Sequence, residues 1–137
     1  MYFHFVIKKT FNMKRIISTS KAPAAIGPYS QAVEVGNTLY ISGQLPLDPK
    51  SMEMPDDIKE QAELVMQNIS AILEEAGYAF SDVIKSTIFL SDIKNFQAMN
   101  EVYGKYYTEN PPARSAYEVA NLPKGAKIEI ETIAVKG

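Results

Sequence analysis

The segment from Asp57 to Gly77 constrains this chain more than any other. Ile58, Ala62, Val65, Ile69, Ile72 and Ala76 recur at spacings of three and four, which places them on one face of a helix. Asp57 followed by Glu60 reads as a capping box at its start, and Gly77 stands where a left-handed residue ends it. A helix with one apolar face needs an apolar surface to lie on, and the segments around it have the pattern of strands.

Residues 14–18 read as a short strand, followed by a loop from Thr19 to Pro28. Residues 30–35 alternate apolar and polar, the period of a half-buried strand. Gly36-Asn37 is a hairpin-type turn, and the strand TLYISGQ follows it. Pro46, Pro49 and Pro55 mark residues 45–56 as a loop. Beyond the helix, residues 82–90 form a strand apolar enough at its end to be buried on both faces. A second helix is expected over about 95–109, capped by Asp92 or Asn95, with Phe96, Met99, Tyr103, Tyr106 and Tyr107 as its stripe and Pro111-Pro112 as its end. Residues 114–120 and 127–135 are the last strands, joined by Leu122-Pro123-Lys124-Gly125. In the final strand the apolar phase shifts from Ile128 and Ile130 to Ile133 and Val135, which predicts a bulge or burial on both faces. The order β-β-β-α-β-α-β-β predicts an α+β fold, a single mixed sheet with two helices packed on one face. The other face then needs a cover, and self-association is the simplest one.

Composition narrows the chemistry. A length of 137 residues fits one domain, and 46% hydrophobic with 22% charged residues fits a soluble globular one. No apolar run approaches the roughly 18 residues of a membrane span. With no cysteine, disulfides, thiolate nucleophiles and cysteine metal sites are excluded. His4 is the single histidine, so no metal site, Ser-His-Asp triad or histidine base is expected. Proton chemistry is left to carboxylate, tyrosine, lysine, backbone or water. The net charge of −2 and the one small basic cluster, Lys8, Lys9, Lys14 and Arg15, argue against nucleic acid as a partner. Residues 1–12 (MYFHFVIKKTFN) lack the charge order and cleavage site of a secretory signal and read as an extension outside the core, with a single domain over 13–137. A reducing, cytoplasmic setting fits these features.

Two matches to short motifs fall away in context. Ser18-Thr19-Ser20-Lys21 has the S-x-x-K spacing but no partner motifs, and Asn68-Ile69-Ser70 is a glycosylation pattern in mid-helix. Three segments are more informative. Gly27-Pro28-Tyr29 presents a tyrosine from a rigid turn, Pro111-Pro112-Ala113-Arg114-Ser115 fixes an arginine at the head of a strand, and Glu129 and Glu131 share a strand face opposite the isoleucines. Taken singly, each fits an ordinary packed loop or solvated face.

Together and in this order they resemble the reactive-intermediate deaminase family (RidA, also called YjgF-type). The resemblance spans nearly all of residues 14–137. It rests on Ala25 through Ala32, on Ile41-Ser42-Gly43-Gln44, and on Phe96 through Asn100 with Tyr103. Pro112-Ala113-Arg114-Ser115 and the stretch from Leu122-Pro123 to Val135 complete it. It implies a chorismate-mutase-like subunit of a homotrimer with its sites between subunits. It also implies a cofactor-free hydrolase that converts reactive 2-imino acids and enamines, such as 2-aminoacrylate, to 2-keto acids and ammonia. By the same resemblance Arg114 binds the substrate carboxylate, Glu129 positions or activates water, Tyr29 lines the pocket as a catalytic residue, and Asn100, Gly43 and the backbone at Ala116 complete it. Ala116 stands where many relatives carry cysteine, and Tyr117 is bulkier than the family pattern leads one to expect.

The residue types suit that chemistry. A guanidinium grips a carboxylate through two parallel charge-assisted hydrogen bonds and fixes its plane. One carboxyl group can take a proton from attacking water and return it to departing ammonia. Two other readings compete: a non-catalytic small-carboxylate-binding regulatory protein on the same fold, and an RNA-directed translation inhibitor or ribonuclease.

Overall fold

The computed structural model describes residues 13–137. The expected extension over 1–12, with His4, lies outside the described residues. Six strands form one sheet in the order β1-β2-β3-β6-β4-β5. These are β1 Lys14–Ile17, β2 Ala32–Val35, β3 Thr38–Gln44, β4 Val83–Leu90, β5 Ala113–Glu118 and β6 Ile128–Val135. All neighbours are antiparallel except β4 and β5, so the sheet is mixed, as expected.

Helix α1 (Ile58–Ala76) begins where Asp57 accepts hydrogen bonds from the backbone of Lys59 and Glu60, and it ends at Gly77 with φ 83°. There the Tyr78 N–H returns to the Leu73 carbonyl at 2.8 Å, closing a glycine C-cap. Val65, Ile69, Ile72 and Leu73 are sealed against β1, β3 and β6. Two polar residues share that buried face. Gln61 donates to the Pro55 carbonyl and accepts from the Lys127 N–H, while Asn68 donates to the carbonyls of Leu45 and Leu47. They tie the proline-rich 45–56 loop to the helix, because a buried amide must find partners.

Helix α2 (Phe96–Tyr103) follows a 3₁₀ turn at Ile93–Asn95 and packs against α1. It is shorter than the expected 95–109. Gly104 ends it, well before Pro111, since glycine weakens a helix and the next residues have better partners outside it. Tyr106 donates to Glu63 on α1, and Tyr107 packs edge-on to Phe80 at 5.4 Å.

The last strand differs from expectation too. Ile128, Ile130, Thr132 and Ala134 all face the helices in unbroken alternation, so β6 carries no phase shift. The irregularities lie in its neighbours, between Ile41 and Gln44 of β3 and between Val83 and Lys85 of β4. Ile133 and Val135 are apolar because they belong to the opposite face. Nor is β4 buried on both faces: Ile88 and Leu90 are sealed, but Ile84 is 51% exposed. The face away from the helices carries Ile16, Tyr40 and Tyr117, each about half exposed. That open apolar face is the one the strand pattern left without a cover.

Candidate active site

The strand register decides which expected residues meet. Arg114 on β5 pairs with Ser86 on β4, which pairs with Thr132 on β6; Ser86 and Thr132 are fully buried beneath the helices. Arg114 therefore emerges on the helix side of the sheet, at its edge. Ala116, two residues on, pairs with Ile88 and packs on the same side. Glu129 pairs with Phe89, which pairs with Tyr117, and this row lies on the open face. Three residues along the strand and two strands across separate Arg114 from Glu129, about 10 Å in each direction. Within one chain they do not meet.

The helix-side cluster is built on α2. Phe96, Asn100 and Tyr103 stand at i, i+4 and i+7, one face of the helix. The Asn100 side-chain oxygen accepts from Arg114 Nη1 at 2.8 Å. The guanidinium carbon lies 5.0 Å from the Tyr103 ring centre and 5.4 Å from that of Phe96, within cation–π range. Among the described residues no carboxylate forms an ion pair with Arg114.

The open-face cluster is held differently. Glu129 is half buried, and that burial pushes its carboxyl above the usual carboxylate range, with the nearby charge of Glu131 adding to the shift. It lies over Gly43: a Cβ at that glycine would come 2.9 Å from the Glu129 carboxyl carbon. Gly43 sits in the irregular stretch of β3, where the register with β6 shifts between Ile41 and Gln44. Gly43 and Tyr29 line one small cavity of about 30 Å³ with Ile26, Leu47 and Met52. On its other side Tyr29 borders an open cleft of about 480 Å³ lined by Ser18, Thr19, Ser20 and Ser30. Tyr29 is thus the wall between two cavities, and its hydroxyl accepts from the Ile26 N–H at 3.4 Å. Tyr117 lies on this face, 6.0 Å from the Phe89 ring, in the same row as Glu129.

One residue that sequence reasoning passed over holds the Tyr29 loop. Gln31 is buried; its amide donates to the carbonyls of Thr19, Ala22 and Pro23 and accepts from the Thr19 N–H. Its place in an alternating strand gave no sign of this, because the partners come from a loop without periodicity. No group of acidic residues or histidines that could hold a metal ion occurs among the described residues.

A mixed six-stranded sheet under two helices, with an arginine and a half-buried glutamate at its two faces, defines a small α+β protein of one known class. The chain belongs to the Endoribonuclease L-PSP family, whose model matches residues 19–136, and this is the reactive-intermediate deaminase (RidA, YjgF) family that the motifs resemble. It is 55% identical to the 2-iminobutanoate/2-iminopropanoate deaminase of Capra hircus over 126 residues, 91% of this chain and 92% of that protein. Among solved structures it is similar to RidA of an Antarctic Psychrobacter (52% identity, TM-score 0.87, covering 89% of this chain and 99% of that one). It is also similar to E. coli TdcF with bound serine (44% identity, TM-score 0.87, covering 90% and 99%).

Proposed function

We propose that this protein is a cofactor-free hydrolytic deaminase that converts 2-imino acids and their enamines to 2-keto acids and ammonia. The observation that carries this reading is Arg114 itself. It is a guanidinium fixed by a neutral amide and two rings, with no carboxylate among the described residues to satisfy it, and so presents a full charge to an anion. A 2-imino acid offers a carboxylate beside its electrophilic carbon. Arg114 grips the carboxylate and sets the plane of the C=N group. Water held by Glu129 adds to the protonated C=N carbon and gives one proton to the Glu129 carboxylate; Glu129 passes that proton to the amine, and as the C–N bond breaks it takes the hydroxyl proton, so that the C=O forms and ammonia leaves. The raised affinity of Glu129 for protons suits both transfers. Tyr29 and Gly43 enclose the reacting end, and the Ala116 backbone borders the carboxylate.

Because Arg114 and Glu129 lie on opposite faces, a complete site needs the Arg114 edge of one copy against the Glu129 face of another. The open apolar face supplies a surface for that contact, and the homotrimer implied by the family pattern closes it without leaving an edge. The partners in this reading are small 2-imino and 2-keto acids and further copies of the chain, with no nucleic acid and no membrane. No helix among the described residues is long and apolar enough to cross a membrane. The single domain spans 13–137, and the compartment assigned is the cytoplasm.

The test is hydrolysis of 2-aminoacrylate generated in situ by a pyridoxal-phosphate-dependent lyase. Wild type should accelerate keto-acid release, and Arg114→Ala should lose about a hundredfold in kcat/KM, since an ionic clamp is removed. A folded wild type without acceleration would leave the carboxylate-binding regulatory reading in its place.

A further inference from the structure

We propose that Asn100, Phe96 and Tyr103 form a socket that sets the plane of Arg114 and dedicates its Nε/Nη2 edge to the substrate carboxylate. This rests on the clamp role of Arg114 given above. It makes Asn100 a positioning residue that acts through Arg114 rather than on the substrate.

Arginine has only donors, so Asn100 must turn its oxygen, not its nitrogen, toward Nη1 at 2.8 Å. That bond occupies one end of the planar fork. The two rings, at 5.0 and 5.4 Å, restrict the plane itself. The pair Nε–H and Nη2–H remains with parallel hydrogens and no partner among the described residues, which is the geometry a carboxylate needs for a bidentate grip. The neutrality of residue 100 is part of the design. A carboxylate there would pair with Arg114 and compete with the ligand. The ring of Tyr103 matters, not its hydroxyl, which is buried beside Ser86 and faces the core.

The chain has two arginines, Arg15 and Arg114, so the guanidinium Nε–H signals of labelled protein are two. Arg15 Nε donates to Glu34 at 2.9 Å, which separates its signal from that of Arg114. On titration with 2-oxobutanoate the Arg114 Nε–H signal should move downfield and saturate. Asn100→Ala should weaken that binding by about tenfold, the scale of one lost charge-assisted bond. Phe96→Leu and Tyr103→Leu should also weaken it, with folding checked by melting temperature. In the 2-aminoacrylate assay, Asn100→Ala placed on Arg114→Ala should cost nothing further.

Wild-type affinity in Asn100→Ala would overturn the socket. So would a double variant that falls by the full Asn100→Ala factor, because Asn100 would then contact substrate itself. Movement confined to the Nη signals would overturn the edge assignment. A wild-type Arg114 signal that ignores 2-oxobutanoate would remove the clamp, and with it this proposal; turnover by wild type with a silent Asn100→Ala would remove this proposal alone.

Discussion

Around Arg114 every restraint is a direct contact from one helix, with Asn100 on the guanidinium and the rings of Phe96 and Tyr103 beside it. Around Glu129 the restraint is space: a glycine where a side chain would collide, a register shift in β3, and burial that raises the carboxyl's hold on its proton. The first arrangement orients a permanent charge. The second shifts the proton affinity of a carboxyl, which is what the proposed acid–base role of Glu129 requires. In the proposed mechanism the binding residue needs contacts and the acid–base residue needs an environment, and the two lie on opposite faces of one sheet.

The comparison is broken most severely at Glu129. Glu129→Gln should reduce kcat by about a thousandfold, within the usual range for a lost general acid–base group, while 2-oxobutanoate still binds. The same variant should melt higher at neutral pH. Burial raises the carboxyl's proton affinity in the folded state, so its stabilising contribution is full below the ordinary glutamate value and is lost as pH rises through the folded value. Removing the charge removes that penalty. In wild type the acid limb of kcat/KM should lie above the ordinary carboxylate range, and its absence there would contradict the assigned role.

Gly43→Ala should have a smaller effect. The new Cβ meets the far end of a flexible side chain, so the protein folds and the carboxylate swings away. Activity should fall by roughly tenfold to a hundredfold with little change in melting temperature, as expected when a catalytic group is displaced by about 1 Å. A loss of folding instead would mean that the glycine serves the strand, not the carboxylate.

Glu34 gives the smallest effect and the opposite sign. The Arg15 guanidinium and then the Tyr78 hydroxyl, 2.6 Å away, hold its carboxyl below the usual value. Its contribution is present above the unfolded glutamate value and is lost as pH falls through the folded one. Glu34→Gln should lower the melting temperature at neutral pH by about 3 °C, flatten the acid side of the stability profile, and leave kcat unchanged. A changed kcat would place Glu34 in the site.

Much of this was legible in the sequence. The face of α1, the Asp57 cap, the Gly77 stop and the hairpin at Gly36-Asn37 follow from local pattern, and the structure agrees because local and tertiary preferences coincide there. Helix α2 is shorter than its pattern suggests because Tyr106 and Tyr107 continue its apolar spacing while serving Glu63 and Phe80 instead. The phase of β6 is hidden in the sequence because Thr132, a buried hydroxyl, masks the core face and Ile133 and Val135 advertise the other. Arg114, Glu129, Tyr29 and Gly43 could be named from their motifs, but not their faces. That depends on register across β4, and β5 has no alternation of its own to reveal it.

The central claim is that each site draws Arg114 from one chain and Glu129 from another. Arg114→Ala and Glu129→Gln chains, each nearly inactive alone, should be refolded together in equal amounts and assayed on 2-aminoacrylate. Shared sites predict recovery to about a quarter of wild-type activity, the fraction of interfaces that pair an intact arginine with an intact glutamate. Mixed oligomers that stay as inactive as their parents would contradict the account.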